Sequence, residues 1–182
     1  MDTNHDFSTG MTVVYGLHGK CSITGIETRQ IQGQEIPFYK LEIQKSSFSR
    51  SSKKDPAIWL PVSTAREQGL RHPLTKIDAE AVMGVIQSRE YFFPVKENWS
   101  TIQHKLEACI RHEGGSGLAK VASYLYVLKK RMIILPTEIN RFQETVMKLL
   151  IRELSEAFDN KAPKIIESQI NKAFAHKLMP DA

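Results

Sequence analysis

Two tryptophans, an arginine and a cluster of cations are the residues of this chain best suited to binding chemistry, and no arrangement of side chains offers covalent chemistry. His18 follows a glycine-rich turn in Tyr15-Gly16-Leu17-His18-Gly19, which invites a catalytic reading. No serine or cysteine nucleophile, carboxylate partner or metal-spaced ligand stands near it, so it reads as a turn residue. Cys21 and Cys109 are isolated, which excludes a zinc ribbon, argues against a disulfide framework and points to a reducing compartment. A P-loop, a dinucleotide fingerprint and a zinc site are all missing from the sequence. The expectation is a protein that is not an enzyme and carries no metal or cofactor.

Trp99 stands in Asn98-Trp99-Ser100, ahead of Ile102 and Leu106 at helical spacing. One reading makes it the crown of a helical core. A second is local: Ser100 and Gln103 match a capping box, which places Trp99 just outside the helix as a staple. The third is functional. A flat aromatic at a helix tip can stack on or wedge beside an unpaired base, a contact worth about 1–3 kcal/mol. Lys105 follows, and Lys129-Lys130-Arg131 ends a later helical stripe. That cluster either suits the negative end of a helix or meets phosphates. In the first half, Arg29 and Ile31 lie in Ile26-Glu27-Thr28-Arg29-Gln30-Ile31, where a surface arginine at a strand end is the ordinary reading. Trp59, in Ile58-Trp59-Leu60-Pro61-Val62, is either buried in a barrel or a binding anchor.

The elements that must position these residues differ between the two halves. Up to about Pro73 the chain reads as short strands and turns: Thr12 to Tyr15, Ser22 to Arg29, the alternating run Phe38 to Ile43, Ala57 to Pro61, and a possible last strand in Leu70 to Pro73. The segment Ser46 to Pro56 is rich in serine and lysine and offers nothing to a core, so it is either a solvated hairpin tip or a basic finger touching phosphate. From Ile77 the period is helical. Ala81, Val82, Val85 and Ile86 mark one helix. Ile102, Leu106, Cys109 and Ile110 mark a second, stopped by Gly114-Gly115. Leu118 to Met132 stripe a third, Pro136 opens a fourth, and Ile165, Ile166, Ile170, Ala173 and Phe174 form a last one. The fold class is therefore α+β: a small antiparallel β-barrel over residues 1–75 and a compact all-α domain over residues 76–182. With 182 residues, 41% of them hydrophobic, both halves can bury a core. The net charge of +5 is compatible with nucleic acid without selecting it. No apolar run is long enough for a membrane span, and the polar, acidic start lacks the features of a signal peptide.

In their order and separation, the strings around His18, Arg29 and Trp99 resemble the CarD/CdnL family of bacterial transcription regulators, over about Thr12 to Phe174. The resemblance implies a Tudor-like barrel that binds the RNA polymerase β subunit, joined to a helical domain that binds promoter DNA. It assigns Arg29 and Ile31 to the polymerase contact, with Trp59 where relatives carry methionine or arginine. It makes Trp99 the residue that props the upstream edge of the transcription bubble, with Lys105, Lys129, Lys130 and Arg131 as neighbouring DNA contacts. The chain departs from the family in two places. Thr101 and Ile102 stand where arginines usually follow the tryptophan, and Gly16 replaces the proline of the Tyr-Pro-x-His-Gly turn. Without Arg-Gly-Arg-Pro hooks or an acidic stretch, it looks like the short CdnL-type members. The implied protein is a cytoplasmic monomer, held at the nucleoid through polymerase, with no membrane and no small-molecule ligand. Two rivals remain: an adaptor whose helices bind another protein, and an aromatic-lined barrel binding RNA or a modified peptide through Tyr15, Tyr39 and Trp59.

Overall fold

The computed structural model describes residues 6–44, 56–88, 97–132 and 134–177, with only the backbone of His176. The serine- and lysine-rich segment expected at 46–56 thus lies outside the described residues, apart from Pro56. The chain divides into two compact units, Met1–Pro73 and Leu74–Ala182.

The first unit is a five-stranded antiparallel sheet of Tudor-like architecture. Its strands are β1 (Thr12–Tyr15), β2 (Gly19–Ile31), β3 (Gln34–Ile43), β4 (Ile58–Pro61) and β5 (Leu70–Arg71), in the order β4-β3-β2-β1-β5. β-branched and aromatic residues fill these strands, and each turn carries a residue suited to it. Gln32 and Gly33, both at positive φ (51° and 81°), close the two-residue turn between β2 and β3, the twist that suits a tight hairpin. The core gathers Phe7, Val13, Cys21, Ile23, Tyr39, Leu41, Leu60, Ala65 and Leu70. Phe7 meets Tyr39 edge-on, with centroids 6.0 Å apart, and its backbone N–H donates to the Tyr39 hydroxyl at 3.4 Å. Burial pushes the Tyr39 phenol above its ordinary range.

The hairpin is irregular at one point. Ile23 faces Leu41, yet Gly25 faces Lys40, so Thr24 is an extra residue and its hydroxyl turns to the Lys40 carbonyl at 3.3 Å. Past this bulge, Ile26 and Tyr39 face the core, and Glu27, Arg29 and Ile31 face the other side of the sheet.

Among the described residues the second unit holds four helical segments: α1 (Lys76–Gln87), α2 (Trp99–Arg131), α3 (Thr137–Ala157) and α4 (Pro163–Lys177). Thr75 and Asp78 form a reciprocal capping box that starts α1. The glycines separate two helices, as expected: the run Trp99–Arg131 is two helical limbs that meet at Gly114. Gly114 leaves helical geometry (φ 58°, ψ −125°), so the two apolar stripes belong to the two helices on either side of it, the first and second limbs of α2. The bend is tight. A Cβ on Gly117 would lie 2.3 Å from the Cys109 carbonyl oxygen, and one on Gly115 would lie 2.8 Å from Leu74 Cδ2. Across the bend Lys120 Nζ donates to Glu113 Oε2 at 2.7 Å, which holds the Glu113 carboxyl below its ordinary range. Cys109 Sγ lies 3.5 Å from Glu113 Oε1; burial and then the Glu113 charge push the thiol up to about 11. This cysteine is a protonated, inert part of the corner.

α3 packs with Ile139, Phe142, Val146, Leu149, Leu150 and Leu154, and α4 with Ile166, Ile170, Ala173 and Phe174. Ile165, expected on the α4 stripe, is 48% exposed, because it falls one position (about 100°) off the buried arc. Ala81 is likewise exposed, its place in the α1 core taken by Ala79. At the far end of α4, Lys177 Nζ donates to Ser123 Oγ on α2 (2.8 Å) and to the Val85 carbonyl on α1 (3.3 Å). Burial holds this ammonium down to about 8. No helix among the described residues is long and apolar enough to cross a membrane.

Two expectations follow from these contacts. Gly117→Ala pushes a methyl against a backbone carbonyl and should cost about 1–3 kcal/mol. Gly84→Ala, in open space within α1, should instead stabilise by roughly 0.5–1 kcal/mol. Urea unfolding of the pair checks the contrast. For Lys177 the folded pKa of about 8 lies below the ordinary 10.5, so between those values the unfolded chain binds the additional proton. Stability from this group is lowest below pH 8 and rises from there towards pH 10.5. The unfolding free energy of wild type minus that of Lys177→Met should therefore grow between pH 7 and pH 10, and a flat difference would refute the desolvated ammonium.

Candidate functional site

On the sheet unit, the face turned away from the core gathers residues from three strands. Register sets Glu27 opposite Phe38, Arg29 opposite Ile36, Phe38 opposite Pro61 and Lys40 opposite Trp59. The Arg29 guanidinium lies over Trp59, with Cζ 3.6 Å from the ring centroid, and 5.9 Å from that of Phe38. Lys40 Nζ approaches the same indole at 5.4 Å and Glu27 at 3.9 Å. Trp59 is half-buried outside the barrel core, while its neighbour Leu60 points in with 2% exposure. Ile31 is 42% exposed near the hairpin tip on the same face as Arg29. The structure thus joins Arg29 to Trp59 and adds Phe38 and Lys40, which sequence reasoning did not single out. The alternation of β3 carried that signal, since Phe38 and Lys40 share the parity opposite to Tyr39 and Leu41.

The same strand has an open flank. β1 pairs β2 only through Ser22, with Ile23 adding backbone bonds to Gly10 and Met11. From Thr24 to Ile31, β2 is paired by β3 alone among the described residues. In an antiparallel ladder successive residues point their N–H and C=O groups to opposite flanks. Counting back from the Ile31–Gln34 pair that closes the tight turn, Gln30, Thr28 and Ile26 present theirs to the open flank. Tyr15 stacks on His18 (5.4 Å, 9° between planes), and Tyr39 is 1% exposed. Tyr15, Tyr39 and Trp59 therefore line no common groove.

On the helical unit, Trp99 is the first residue of α2. The N-cap is Asn98, whose Oδ1 accepts from the Thr101 N–H at 2.9 Å. The Ser100–Gln103 capping box is corrected accordingly: Asn caps as well as Ser, and Gln103 turns to Glu107 at 2.9 Å instead. Trp99 is half-buried, edge-on to Phe142 of α3 with centroids 5.7 Å apart and planes at 77°. Its Nε1 is buried with no hydrogen-bond partner among the described residues. Such an unpaired donor costs about 1–3 kcal/mol. Thr101 is exposed and Ile102 half-buried where a phosphate grip would need arginines. Lys105 pairs with Glu97 at 2.6 Å. Lys129, Lys130 and Arg131 are exposed in the last turn of α2, with Lys130 Nζ 5.9 Å from the Tyr126 ring centroid. No group of residues fit to hold a metal ion occurs among the described residues.

Residues 7–71 match the model of the CarD-like/TRCF RID domain. The chain thus carries the interaction domain of a CarD/CdnL-like, RNA polymerase-interacting family, and that domain is a protein-interaction module and not a catalytic one. No curated protein matches the chain.

The setting of Trp99 predicts an unusual pair of variants. Trp99→Phe keeps an aromatic against Phe142 and removes the unpaired N–H, so its melting temperature should equal or exceed that of wild type. Trp99→Ala loses half-buried packing and should cost about 2 kcal/mol, less than the roughly 3–5 kcal/mol of a fully buried tryptophan. Calorimetry on both variants checks the order.

Proposed function

We propose, on the premise that residues 7–71 are a CarD-like/TRCF RID domain, that this chain is a bacterial transcription regulator that docks on the RNA polymerase β subunit and stabilises the promoter open complex. The observation that carries the docking half is the Arg29–Trp59 stack, which reaches from β2 across β3 to β4, on a strand whose other flank is open. A strand of the β subunit added to that flank gains backbone hydrogen bonds for affinity, while Arg29, Ile31 and Trp59 supply specificity. Stacking suits this role, since it fixes the guanidinium without consuming its charge on an internal carboxylate.

Docking raises the effective concentration of the helical unit at the promoter, so a weak grip on DNA suffices. Trp99 leaves Phe142 and stacks at the upstream edge of melted DNA, and the unpaired indole N–H supports this reading because the packed ring is incompletely satisfied. Preference for melted over duplex DNA shifts the equilibrium towards the open complex. Lys129, Lys130 and Arg131 meet phosphates, and Lys105 joins them on leaving Glu97. The place of action is the cytoplasm, at the nucleoid.

A second reading is an adaptor whose helical unit binds another protein. The Glu97–Lys105 pair and the place of Thr101 and Ile102 after Trp99 favour it. Two variants of the full chain decide. Arg29→Glu should weaken capture by core polymerase about tenfold or more, given the worth of a charged hydrogen bond. Trp99→Ala should leave capture intact and shorten open-complex lifetime by roughly fivefold to a hundredfold. Unchanged decay with full polymerase binding would turn the assignment to the adaptor. Undiminished capture by folded Arg29→Glu would remove the sheet face from it.

A further inference from the structure

Between α2, α3 and α4 the helical unit holds a cavity of about 540 Å³, lined by Tyr126, Lys129, Lys130 and Gln143, with Asn171 and the carboxylates of Glu144 and Glu167. Gln143 is only 8% exposed, and its Oε1 has no hydrogen-bond partner among the described residues. A buried acceptor left unpaired is unusual in a folded protein and calls for a specific donor. Glu144 and Glu167 add further acceptors, so the wall formed by α3 and α4 mostly receives hydrogen bonds. The α2 side carries the opposite chemistry. Lys129 and Lys130 are exposed ammonium groups, and the Tyr126 ring beside them is backed by Phe174 at 4.8 Å.

A fitting ligand must donate hydrogen bonds at one end, carry negative charge at the other, and place a flat body between. A nucleotide with an exocyclic amine (cytosine, adenine or guanine) meets all three demands, whereas thymine lacks the amine and donates only through its ring N3–H. We propose that this cavity takes an amino-bearing nucleotide, either free or as an unpaired base of single-stranded DNA. Its amine donates to Gln143 Oε1, its ring lies against Tyr126, and its phosphate meets Lys129 and Lys130. The Gln143 amide reaches the base by turning about its terminal torsion, a soft degree of freedom. The inference rests on the DNA-binding reading for the role of the lysines, whereas the amide and the free nucleotide test it independently.

The test uses the full chain. Fluorescence anisotropy with labelled dC, dA and dT homopolymers should show dC and dA binding about fivefold tighter than dT, the worth of one hydrogen bond. Unlabelled dCMP should move the side-chain amide resonance of Gln143 in a ¹⁵N–¹H spectrum, and dTMP should not, a contrast that needs no variant. Gln143→Leu keeps the bulk and removes the acceptor. It should equalise the homopolymer affinities with the melting temperature maintained or raised, whereas Lys130→Glu should weaken all of them together. A dCMP response without homopolymer binding upholds the cavity and removes DNA as its source. Equal responses to dCMP and dTMP, or a base preference that survives Gln143→Leu, overturn the proposal.

Discussion

Side chains alternate across a strand, so one additional residue reverses everything that follows it, and the outer face of this sheet depends on such a reversal at Thr24. Ile23 points into the core, and without the bulge Arg29 and Ile31 would share that direction. With the bulge, Ile26 takes the core position beside Tyr39, and Arg29 comes to lie over Trp59 on the opposite face. Phe38, at 9% exposure, is covered on a face that would otherwise be solvent. The outer face is therefore a shaped surface with an aromatic floor and a cationic lid.

The helical unit relies on a comparable local exception. Gly114 adopts a conformation closed to other residues, and Gly117 lets the second limb of α2 come against the Cys109 carbonyl. The resulting corner, bridged by Glu113 and Lys120, sets two buried stripes on adjoining helical limbs. It also sets the two ends of α2 to different uses. Its N-terminus presents Trp99 to Phe142, and its C-terminus gathers three exposed cations beside the cavity that Gln143 lines. Lys177 binds α4 to α1 and α2 at the cost of desolvating an ammonium, a directional link added to the apolar packing of the bundle.

Much of this was legible in the residues themselves. The change from short β-rich runs to helical stripes separates the strand-built part from the helical one, since periods of 2 and 3.6 cannot be satisfied by the same element. The alternation of β3 separates Tyr39 and Leu41 from Phe38 and Lys40. Resemblance in order and spacing pointed to the family before any contact was known. Tertiary structure alone decided the rest. Whether Trp59 packs inside or outside depends on cross-strand register, which brings together residues about thirty apart in the chain. How sharply the chain turns at Gly114 depends on what the following limb can pack against. Asn98 outcompetes Ser100 as the cap of α2 because the helix begins two residues earlier than the capping-box pattern suggests, a matter of which backbone N–H groups are left unpaired. The orphaned Trp99 N–H and Gln143 carbonyl exist only once the helices have closed over them. Composition cannot register them, because an unsatisfied group is defined by what fails to come within reach.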